Sequence, residues 1–184
     1  WAWTRLSTLT INRDSERKPI SAAQRTNVAK IYDYYGASGK IDKIDKYIFN
    51  EKLLLIGEDG ANLVTRSKPI AFFAEGQYWV NNHAHVLKFT SYELRKYVEN
   101  YLNSIDLSKY ISGGAQPKLN QDNLNKITIP IPNIERVKYV VSILDRFDTL
   151  CNDLSTGLPA EIETRQKQYE YYRDKLLSFE KIQK

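Results

Sequence analysis

The sequence is poor in residues that form crosslinks or bind soft metals, with one cysteine, two histidines and no methionine among its 184 residues. The single cysteine, Cys151, excludes an internal disulfide framework and is consistent with a reducing compartment. No run approaches the roughly 20 apolar residues that a membrane-spanning helix requires. Because methionine is absent, Trp1 is not a natural start, and we expect the chain to be a fragment or the ordered part of a longer protein.

Common motifs of catalysis and cofactor binding are also missing. The sequence has no Gly-rich phosphate loop followed by Lys-Ser or Lys-Thr, no dinucleotide-binding fingerprint and no zinc-type cysteine spacing. It also lacks an Asn-Pro-Pro-Tyr-like or Asp-Pro-Pro-Tyr-like motif of the kind found in adenine methyltransferases. We therefore expect no catalytic residues, no metal site and no cofactor in this chain.

The positive charge is concentrated in one part of the chain. Residues 1–132 contain 18 Lys and Arg against 13 Asp and Glu, whereas residues 133–184 contain nine of each kind. The net charge of +5 at pH 7 therefore belongs to the first part. This asymmetry suggests that only the first part meets a polyanion, although the same excess is also ordinary for solubility.

The first part is predicted to be an α+β domain with a mixed sheet. The run 52–56 has the composition of a buried strand, and residues 84–89 predict another. The β-prone runs 70–74 and 78–80 are separated by three turn residues including Gly76, which predicts a hairpin. Short strands joined by loops therefore account for most of this region.

Capping-box patterns predict two helices in the same domain. Ser21 with Gln24 indicates a short helix, and Thr90 with Glu93 indicates the start of a longer one. The longer helix has an apolar stripe at helical spacing. The stripe comprises Leu94, Tyr97, Val98, Tyr101, Leu102 and Ile105. The Pro-containing segment 127–132 is predicted to be extended, as an edge strand or a linker, because proline cannot donate to a sheet ladder.

Residues 133–184 are predicted to form a coiled-coil-like region of long helices. Asn133 can cap the first helix, 155–157 interrupt it, and Pro159 suits the start of a second. Apolar residues recur at alternating steps of three and four, which predicts a face for partners or for dimerisation. The predicted interface residues are Val141, Leu144, Cys151, Ile162, Tyr169, Tyr172, Leu176 and Phe179. A two-helix hairpin that closes on itself is the alternative.

Seven short motifs occur in the order in which one protein family carries them. They are YYGASG at 34–39, GEDGAN at 57–62, WVNNHAHVL at 79–87, SGGAQPKL at 112–119, IPIP at 129–132, LPAEI at 158–162 and YEYYRDKLL at 169–177. On these motifs the chain resembles the specificity subunits of type I restriction-modification systems. One departure is Glu135-Arg136, where the family usually has Glu-Gln.

The resemblance also implies a domain organisation. The target recognition domain would occupy residues 1–132, and the helical conserved region would occupy residues 133–184. Complete members of the family carry two of each, so the chain resembles half a specificity subunit. It would be either a natural half-length protein that pairs with itself or a fragment of a longer one.

The implied function is sequence-specific binding of double-stranded DNA without catalysis. In such systems a modification subunit methylates adenine with S-adenosylmethionine, and a restriction subunit translocates and cuts, so S-adenosylmethionine, ATP and Mg²⁺ are expected on partner subunits. The chain would act in a prokaryotic cytoplasm, away from membranes. Its helical region would dock the modification subunits, and a homodimer would read a split palindrome.

Specific reading requires donors and acceptors at base edges and cations at phosphates. Loops of the basic domain contain both, and the glycines of the 34–39 motif would let the backbone approach DNA closely. The predicted DNA-binding residues are Arg17, Lys18, Arg25, Tyr34, Tyr35, Ser38, Lys40, Arg66, Lys68, Asn82, His83, Gln116, Lys118 and Asn120. Turn formation, solvation or packing is the alternative role for several of them.

Two other functions stay open at this point. Asn81, His83 and His85 could serve a nuclease, although a metal site needs a third ligand that no nearby Cys or His offers. His83 and His85 lie two apart and should share a strand face, where hydrogen-bonded structural roles are the other interpretation. The chain could also be an assembly protein whose helices recruit partners while its globular part does not read DNA.

Overall fold

A computed structural model of the protein describes residues 2–157, 168 and 171, with the backbone alone described at 150–157. Its strands are β1 (Ala2–Arg5), β2 (Ile11–Asn12), β3 (Tyr32–Gly36), β4 (Gly39–Ile44), β5 (Phe49–Asn50), β6 (Leu53–Gly57), β7 (Ala71–Ala74), β8 (Gln77–Val80), β9 (Ala84–Lys88) and β10 (Thr128–Ile131). Its helices are α1 (Leu6–Leu9), α2 (Ala22–Thr26), α3 (Asn62–Thr65), α4 (Tyr92–Ser104), α5 (Gln121–Lys126) and α6 (Ile134–Gly157). Short 3-10 turns occur at Asp14–Glu16 and Ser108–Tyr110.

Within the described residues, the strands form two four-stranded sheets and one two-stranded ribbon. The first sheet has the order β2-β9-β6-β7 and is antiparallel. The second has the order β4-β3-β8-β5, and its β3–β8 pair is parallel. Helices accompany these sheets, so the predicted α+β class with a mixed sheet followed by a long helix is confirmed.

The predicted hairpin over residues 70–80 is wrong, because its two strands lie in different sheets. β7 pairs with β6, whereas β8 pairs with β3 and β5. Gly76, between the two strands, has a φ of 75°, in the left-handed region that favours glycine. The chain therefore crosses from one sheet to the other at this turn, and each strand pairs with partners that are distant in sequence.

Strand β6 lies at the centre of the core, and all five of its residues are buried. Leu54 and Ile56 belong to a cluster that includes apolar residues of α4. Leu53 and Leu55 belong to a second cluster, with residues of β3, β5 and β8. Because side chains alternate between the faces of a strand, cover on both faces explains the unbroken apolar run at 53–56. The prediction of a buried strand there is confirmed.

The predicted helices of this domain are present, with one change at a start. α2 has Ser21 as its N-cap, and the capping box with Gln24 is formed as predicted. α4 contains the predicted apolar stripe as far as Leu102, with Ile105 as its C-cap, but its N-cap is Ser91 rather than Thr90. The Ser91 hydroxyl accepts the backbone N–H of Leu94 at 3.2 Å. The cap therefore lies one residue later than the sequence pattern indicates.

The Pro-containing segment becomes a strand, and the long helix starts directly after it. β10 pairs with β1 in the two-stranded ribbon, so it takes the predicted edge position. The Asn133 side chain accepts the backbone N–H of Arg136 at 2.9 Å and caps α6 as expected. α6 includes residues 155–157, so the interruption predicted there is wrong.

The chain divides into two compact units, Trp1–Lys138 and Tyr139–Lys184. The domain boundary predicted between residues 132 and 133 stays a prediction. Of the predicted interface residues, Val141 is buried and Leu144 is partly exposed. The others lie outside the residues whose side chains are described: Cys151, Ile162, Tyr169, Tyr172, Leu176 and Phe179. No helix in the described part of the chain has the length and apolar character needed to cross a bilayer.

Truncation of a β6 side chain is expected to destabilise the domain. Leu55→Ala removes a side chain that is 0% exposed, and we expect the free energy of unfolding to fall by about 3 kcal/mol. Val64→Ala is the control, since Val64 is 62% exposed and its truncation should change that free energy by less than about 0.5 kcal/mol. Urea unfolding measures both, and equal effects would contradict the central place of β6.

Candidate nucleic-acid interface

The segment directly after β6 joins several loops at one end of the sheets. The Glu58 N–H donates to the carbonyl of His83 at 2.9 Å, and the Leu119 N–H donates to the carbonyl of Glu58 at 2.7 Å. The Gly60 N–H donates to the carbonyl of Pro117 at 3.1 Å. Segment 57–60 therefore holds the loop before β9 and the loop before α5 by main-chain hydrogen bonds.

The turn between β3 and β4 packs on the same segment. A Cβ atom at Gly57 would lie 2.7 Å from the carbonyl oxygen of Ala37, a distance that side chains do not tolerate. Gly57 therefore permits a close backbone approach that brings the predicted turn 36–39 beside 57–60. We name the five neighbouring segments together the loop cluster; they are 17–20, 36–41, 57–60, 81–83 and 116–118.

A short closed loop carries the last of these segments. The Ser112 and Lys118 backbones exchange two hydrogen bonds, at 2.8 and 2.7 Å. Gly113 has a φ of 81°, and a Cβ there would lie 2.5 Å from the carbonyl oxygen of Gln116. The tight closure explains why position 113 is a glycine. The Gln116 and Lys118 side chains are exposed.

His83 lies between two depressions on the surface of the loop cluster. One has a volume of about 570 Å³ and also adjoins Gln24 and Asn82. The other has a volume of about 320 Å³ and also adjoins Ser38 and Gly60. Asn81, which is buried, fixes the turn before β9, because its side-chain oxygen accepts the N–H of His83 at 2.8 Å. Polar side chains with donors and acceptors therefore line both depressions.

The imidazole of His83 is held by a carboxylate. Its Nδ1 lies 2.7 Å from Oδ2 of Asp59, while about half of the His83 side chain is exposed. When Nδ1 donates to Asp59, Nε2 becomes the ring nitrogen available to a ligand. In the neutral ring Nε2 accepts a hydrogen bond, and in the charged ring it donates one. Asp59 therefore orients a side chain that can recognise a polar base edge.

Two predicted contact residues are instead part of the core. Tyr34 is 1% exposed, and its hydroxyl is hydrogen bonded to the backbone of Ile20. Tyr35 is 6% exposed, and burial raises the pKa of its hydroxyl. The prediction that these tyrosines contact DNA is not carried forward, because neither ring lies on the surface.

The arginines of the basic segment have structural partners. Arg17 donates to the Glu58 carboxylate at 2.7 Å and to the Ala84 carbonyl at 2.8 Å, and it is mostly buried. Arg25 pairs with Asp42 at 2.6 Å and stacks over the Tyr34 ring at 4.6 Å. Both guanidinium groups are therefore engaged, so a role in holding the loops replaces the predicted phosphate contacts.

Two more predicted contacts belong to helix ends. Arg66 donates to the carbonyls of Ile105 and Leu102, at the C-terminal end of α4, where a cation is favoured by the helix dipole. Asn120 is the N-cap of α5 and accepts the Asn123 N–H at 2.9 Å. Neither residue is carried forward as a DNA contact, because helix termination already occupies its side chain.

The other predicted residues are at least partly exposed. Lys68 is exposed in the loop after α3, beside the end of α4 rather than in the loop cluster. The loop cluster brings together Lys18, Ser38, Lys40, Asn82, His83, Gln116 and Lys118. Half of the predicted set therefore lies on these neighbouring segments.

The histidines do not form a joint site. β9 starts at Ala84, so His83 lies in the turn before the strand, and the expected common strand face is wrong. His85 is 1% exposed, and hydrogen bonds to Asp14 and to the Leu119 carbonyl occupy both of its ring nitrogens. No group of three or more His, Cys, Asp or Glu in the described part of the chain is arranged to hold a metal ion.

Sequence reasoning missed the pairing of Asp14 and Asp59 with the two imidazoles, and the surface position of Gln24. Asp14 and Asp59 bind the two imidazoles from positions 71 and 24 residues away, which no local pattern reveals. Gln24 reaches the larger depression from the first turn of α2. The capping-box pattern placed Gln24 correctly in a helix but gave no sign of a surface role.

Fold and site together describe an α+β domain with a polar loop cluster, followed by a long helix. A family model described as "Type I restriction modification DNA specificity domain" matches residues 9–164. The chain therefore belongs to the family of type I restriction-modification DNA specificity domains, and the resemblance seen in the motifs is confirmed.

Individual relatives agree with this assignment. The chain is 33% identical over 176 residues to a putative type I restriction enzyme specificity subunit of Haemophilus influenzae, covering 93% of this chain and 44% of the relative. It is 53% identical over 70 residues to the EcoR124I/EcoR124II specificity subunit of Escherichia coli, covering 38% of this chain and 17% of the relative. The chain thus spans less than half the length of these relatives.

Solved structures share the fold. The S subunit of a type I restriction-modification system from M. genitalium matches 98% of this chain and 46% of its own, with a TM-score of 0.63 and 15% identity. A structure of an assembled type I R-M system matches 92% of this chain and 43% of its own, with a TM-score of 0.63 and 16% identity. At these identities the likeness concerns the fold alone.

A substitution at the contact between 36–39 and 57–60 tests the assembly of the loop cluster. Gly57→Ala should lower the free energy of unfolding by about 2 kcal/mol, because the added Cβ meets the Ala37 carbonyl. Gly114→Ala is the matched control, since a Cβ there has no atom within 4 Å. Urea unfolding compares the two variants, and a Gly57→Ala protein as stable as the control would contradict this packing.

Proposed function

We propose that the chain binds double-stranded DNA sequence-specifically, as the recognition part of a type I restriction-modification specificity subunit. Family membership supports this function, and the observation that carries it is the loop cluster, whose neighbouring segments carry exposed polar and cationic side chains. Reading of DNA requires this combination, because cations position the duplex and polar groups distinguish base edges.

The exposed lysines of the loop cluster are suited to phosphates. Lys40 pairs with Asp33 at 2.6 Å and Lys118 with Glu58 at 3.3 Å, while Lys18 forms no ion pair among the described residues. Both lysine side chains are more than half exposed, so their ion pairs contribute only about 0–1 kcal/mol, and Arg17 still pairs with Glu58 when a phosphate takes Lys118. Each such contact releases counterions and makes DNA binding sensitive to salt.

We assign base recognition to uncharged polar side chains and to the imidazole of His83. Ser38, Asn82 and Gln116 are at least partly exposed and offer donors and acceptors. Held by Asp59, neutral His83 offers Nε2 as an acceptor for an adenine or cytosine amino group. We assign no such contact to Glu58, because its carboxylate is mostly buried and pairs with Arg17.

The helical region is proposed to dock partner subunits. A modification subunit would supply S-adenosylmethionine and adenine methylation, and a restriction subunit would supply ATP- and Mg²⁺-dependent cleavage. Val141 is buried within the chain and is not carried forward, whereas Leu144 is partly exposed and Phe147, on the same stripe, is 60% exposed. Pairing of two such chains would present the same recognition domain twice and match a split palindrome.

Selection from a random pool tests the proposed function directly. The chain bound to its modification subunit is incubated with randomised double-stranded DNA, and bound molecules are sequenced over several rounds. Enrichment of a defined motif is expected, and the modification subunit alone is the control. Recovery of no motif beyond that control would contradict sequence-specific reading and favour a pure assembly role.

A lysine substitution tests the orientation of the interface. Lys118→Gln should lower affinity for all sequences alike and reduce the salt dependence by about one unit of slope, because one phosphate contact is lost. Lys52→Gln is the matched control, since Lys52 also pairs with a glutamate, Glu75, but lies at the opposite end of β6. Fluorescence anisotropy titrations measure both, and equal slopes would contradict the assignment.

Substitution on α6 tests the partner surface. Phe147→Asp should weaken association with the modification subunit by about tenfold or more, because an exposed aromatic anchor is replaced by a charge. Thr149→Asp is the control, since Thr149 is an exposed polar residue of the same helix. Quantitative co-purification compares the two, and unchanged association of Phe147→Asp would exclude this surface.

A further inference from the structure

His85 occupies an unusual environment for a histidine in a strand. Its side chain is 1% exposed in β9. Nδ1 lies 2.6 Å from Oδ2 of Asp14, in the first 3-10 turn, and Nε2 lies 2.7 Å from the carbonyl oxygen of Leu119. The ring therefore bridges three separate parts of the chain: the segment before Arg17, the strand, and the end of the 112–119 loop.

The two partners determine the protonation of the ring. A carboxylate oxygen and a carbonyl oxygen are both acceptors, so each ring nitrogen must donate to satisfy its partner. A neutral imidazole has only one N–H and would leave one acceptor facing a lone pair. The imidazolium form of His85 is therefore the one that satisfies both acceptors.

Charged groups around the ring are consistent with a cation. Besides Asp14, the Glu58 carboxylate lies 3.8 Å from Nδ1. Arg17 contacts Asp14 at 3.4 Å and Glu58 at 2.7 Å, and Lys118 contacts Glu58 at 3.3 Å. The two carboxylates thus stand between three cations, counting His85. The buried cation therefore has counter-charges on two of the elements packed against it.

Asp14 is well placed to stay ionised. Burial by itself raises the pKa of its carboxyl, but hydrogen bonds from His85 and from the Val86 N–H, together with the charge of Arg17, outweigh burial and lower the pKa below the usual value. Its other oxygen accepts the Val86 N–H at 2.7 Å. The acceptor at Nδ1 is therefore an anion wherever histidine titrates.

We propose that the imidazolium of His85 is a positioning residue that holds the 112–119 loop in place and releases it when the ring loses its proton. The structural part of this inference stands on the geometry alone. Its consequence for DNA rests on the proposed function, because the loop carries Gln116 and Lys118. The contribution of the His85 imidazolium to holding the loop is complete while the ring is charged, and it is lost when the ring loses its proton.

Two backbone amides show whether the 112–119 loop is held in place. The Leu119 N–H donates to the Glu58 carbonyl at 2.7 Å, and the Lys118 N–H donates to the Ser112 carbonyl at 2.7 Å. Release of the Leu119 carbonyl from His85 should loosen these bonds first. Lys118 and the loop cluster would then lose their fixed separation without global unfolding.

Nuclear magnetic resonance on the full chain tests the protonation and the hold without any variant. At low pH the ring nitrogens of His85 should show the imidazolium form. Exchange protection of the Leu119 and Lys118 amides, corrected for intrinsic rates, should fall about tenfold over the range of pH in which the ring nitrogen signals of His85 report the loss of its proton. A neutral His85 ring at the low end, or protection that does not follow its titration, would overturn the proposal.

Two variants test whether the contact of His85 with the 112–119 loop affects DNA affinity. His85→Gln can donate to one acceptor but carries no charge, so it should lower affinity for the selected motif about tenfold at the low end of that range and flatten the pH profile. His83→Gln is the comparison, because it removes the other imidazole and should leave the pH dependence of Leu119 protection intact. A pH profile of DNA affinity that is unchanged in His85→Gln overturns the inference. Failure of the wild-type chain to select any motif contradicts the proposed function instead, and the amide measurement then decides whether His85 holds the loop.

Discussion

The two-sided burial of β6 is the constraint on which the loop cluster depends. A slip of one residue in its pairing would exchange the side chains that face α4 for those that face the second sheet, and both cores would be lost together. The register of β6 is therefore tightly specified. Because Glu58 follows the strand directly, this register also places the main-chain groups that hold the loops before β9 and α5. A buried apolar strand thus sets the position of a polar surface.

Around that surface, arginines and lysines have different tasks. Arg17 and Arg25 are mostly buried and paired, in keeping with a planar group that makes several fixed hydrogen bonds. Lys40 and Lys118 are more than half exposed, and their ion pairs cost little to exchange. The net positive charge of this domain therefore overstates the cations available to a ligand, because part of it stabilises the loops. Position in the network, rather than charge alone, decides which cation can meet a phosphate.

Local patterns in the sequence were sufficient for elements whose determinants are local. The buried run of β6, the capping box at Ser21 and the Asn133 cap could all be read from neighbouring residues. Patterns failed where partners are remote. β7 and β8 look like a hairpin but pair in different sheets, and Arg17 looks like a phosphate ligand until Glu58, 41 residues away, is placed beside it. Tyr34 and Lys40 flank the same turn, yet only the three-dimensional arrangement shows that the first faces the core and the second faces solvent.

The buried network of His85, Asp14, Arg17 and Glu58 carries a high desolvation cost. Removing charges from water usually costs as much free energy as their pairing returns, so apolar side chains of similar volume in place of the whole network would stabilise the domain at least as well. An apolar side chain, however, makes no directional contact with the Leu119 carbonyl, and the 112–119 loop could then settle in several positions. The polar network specifies one position among these alternatives. On the proposed function, a surface that distinguishes base edges by donors and acceptors needs that uniqueness more than it needs additional stability, because a displaced acceptor no longer matches its base.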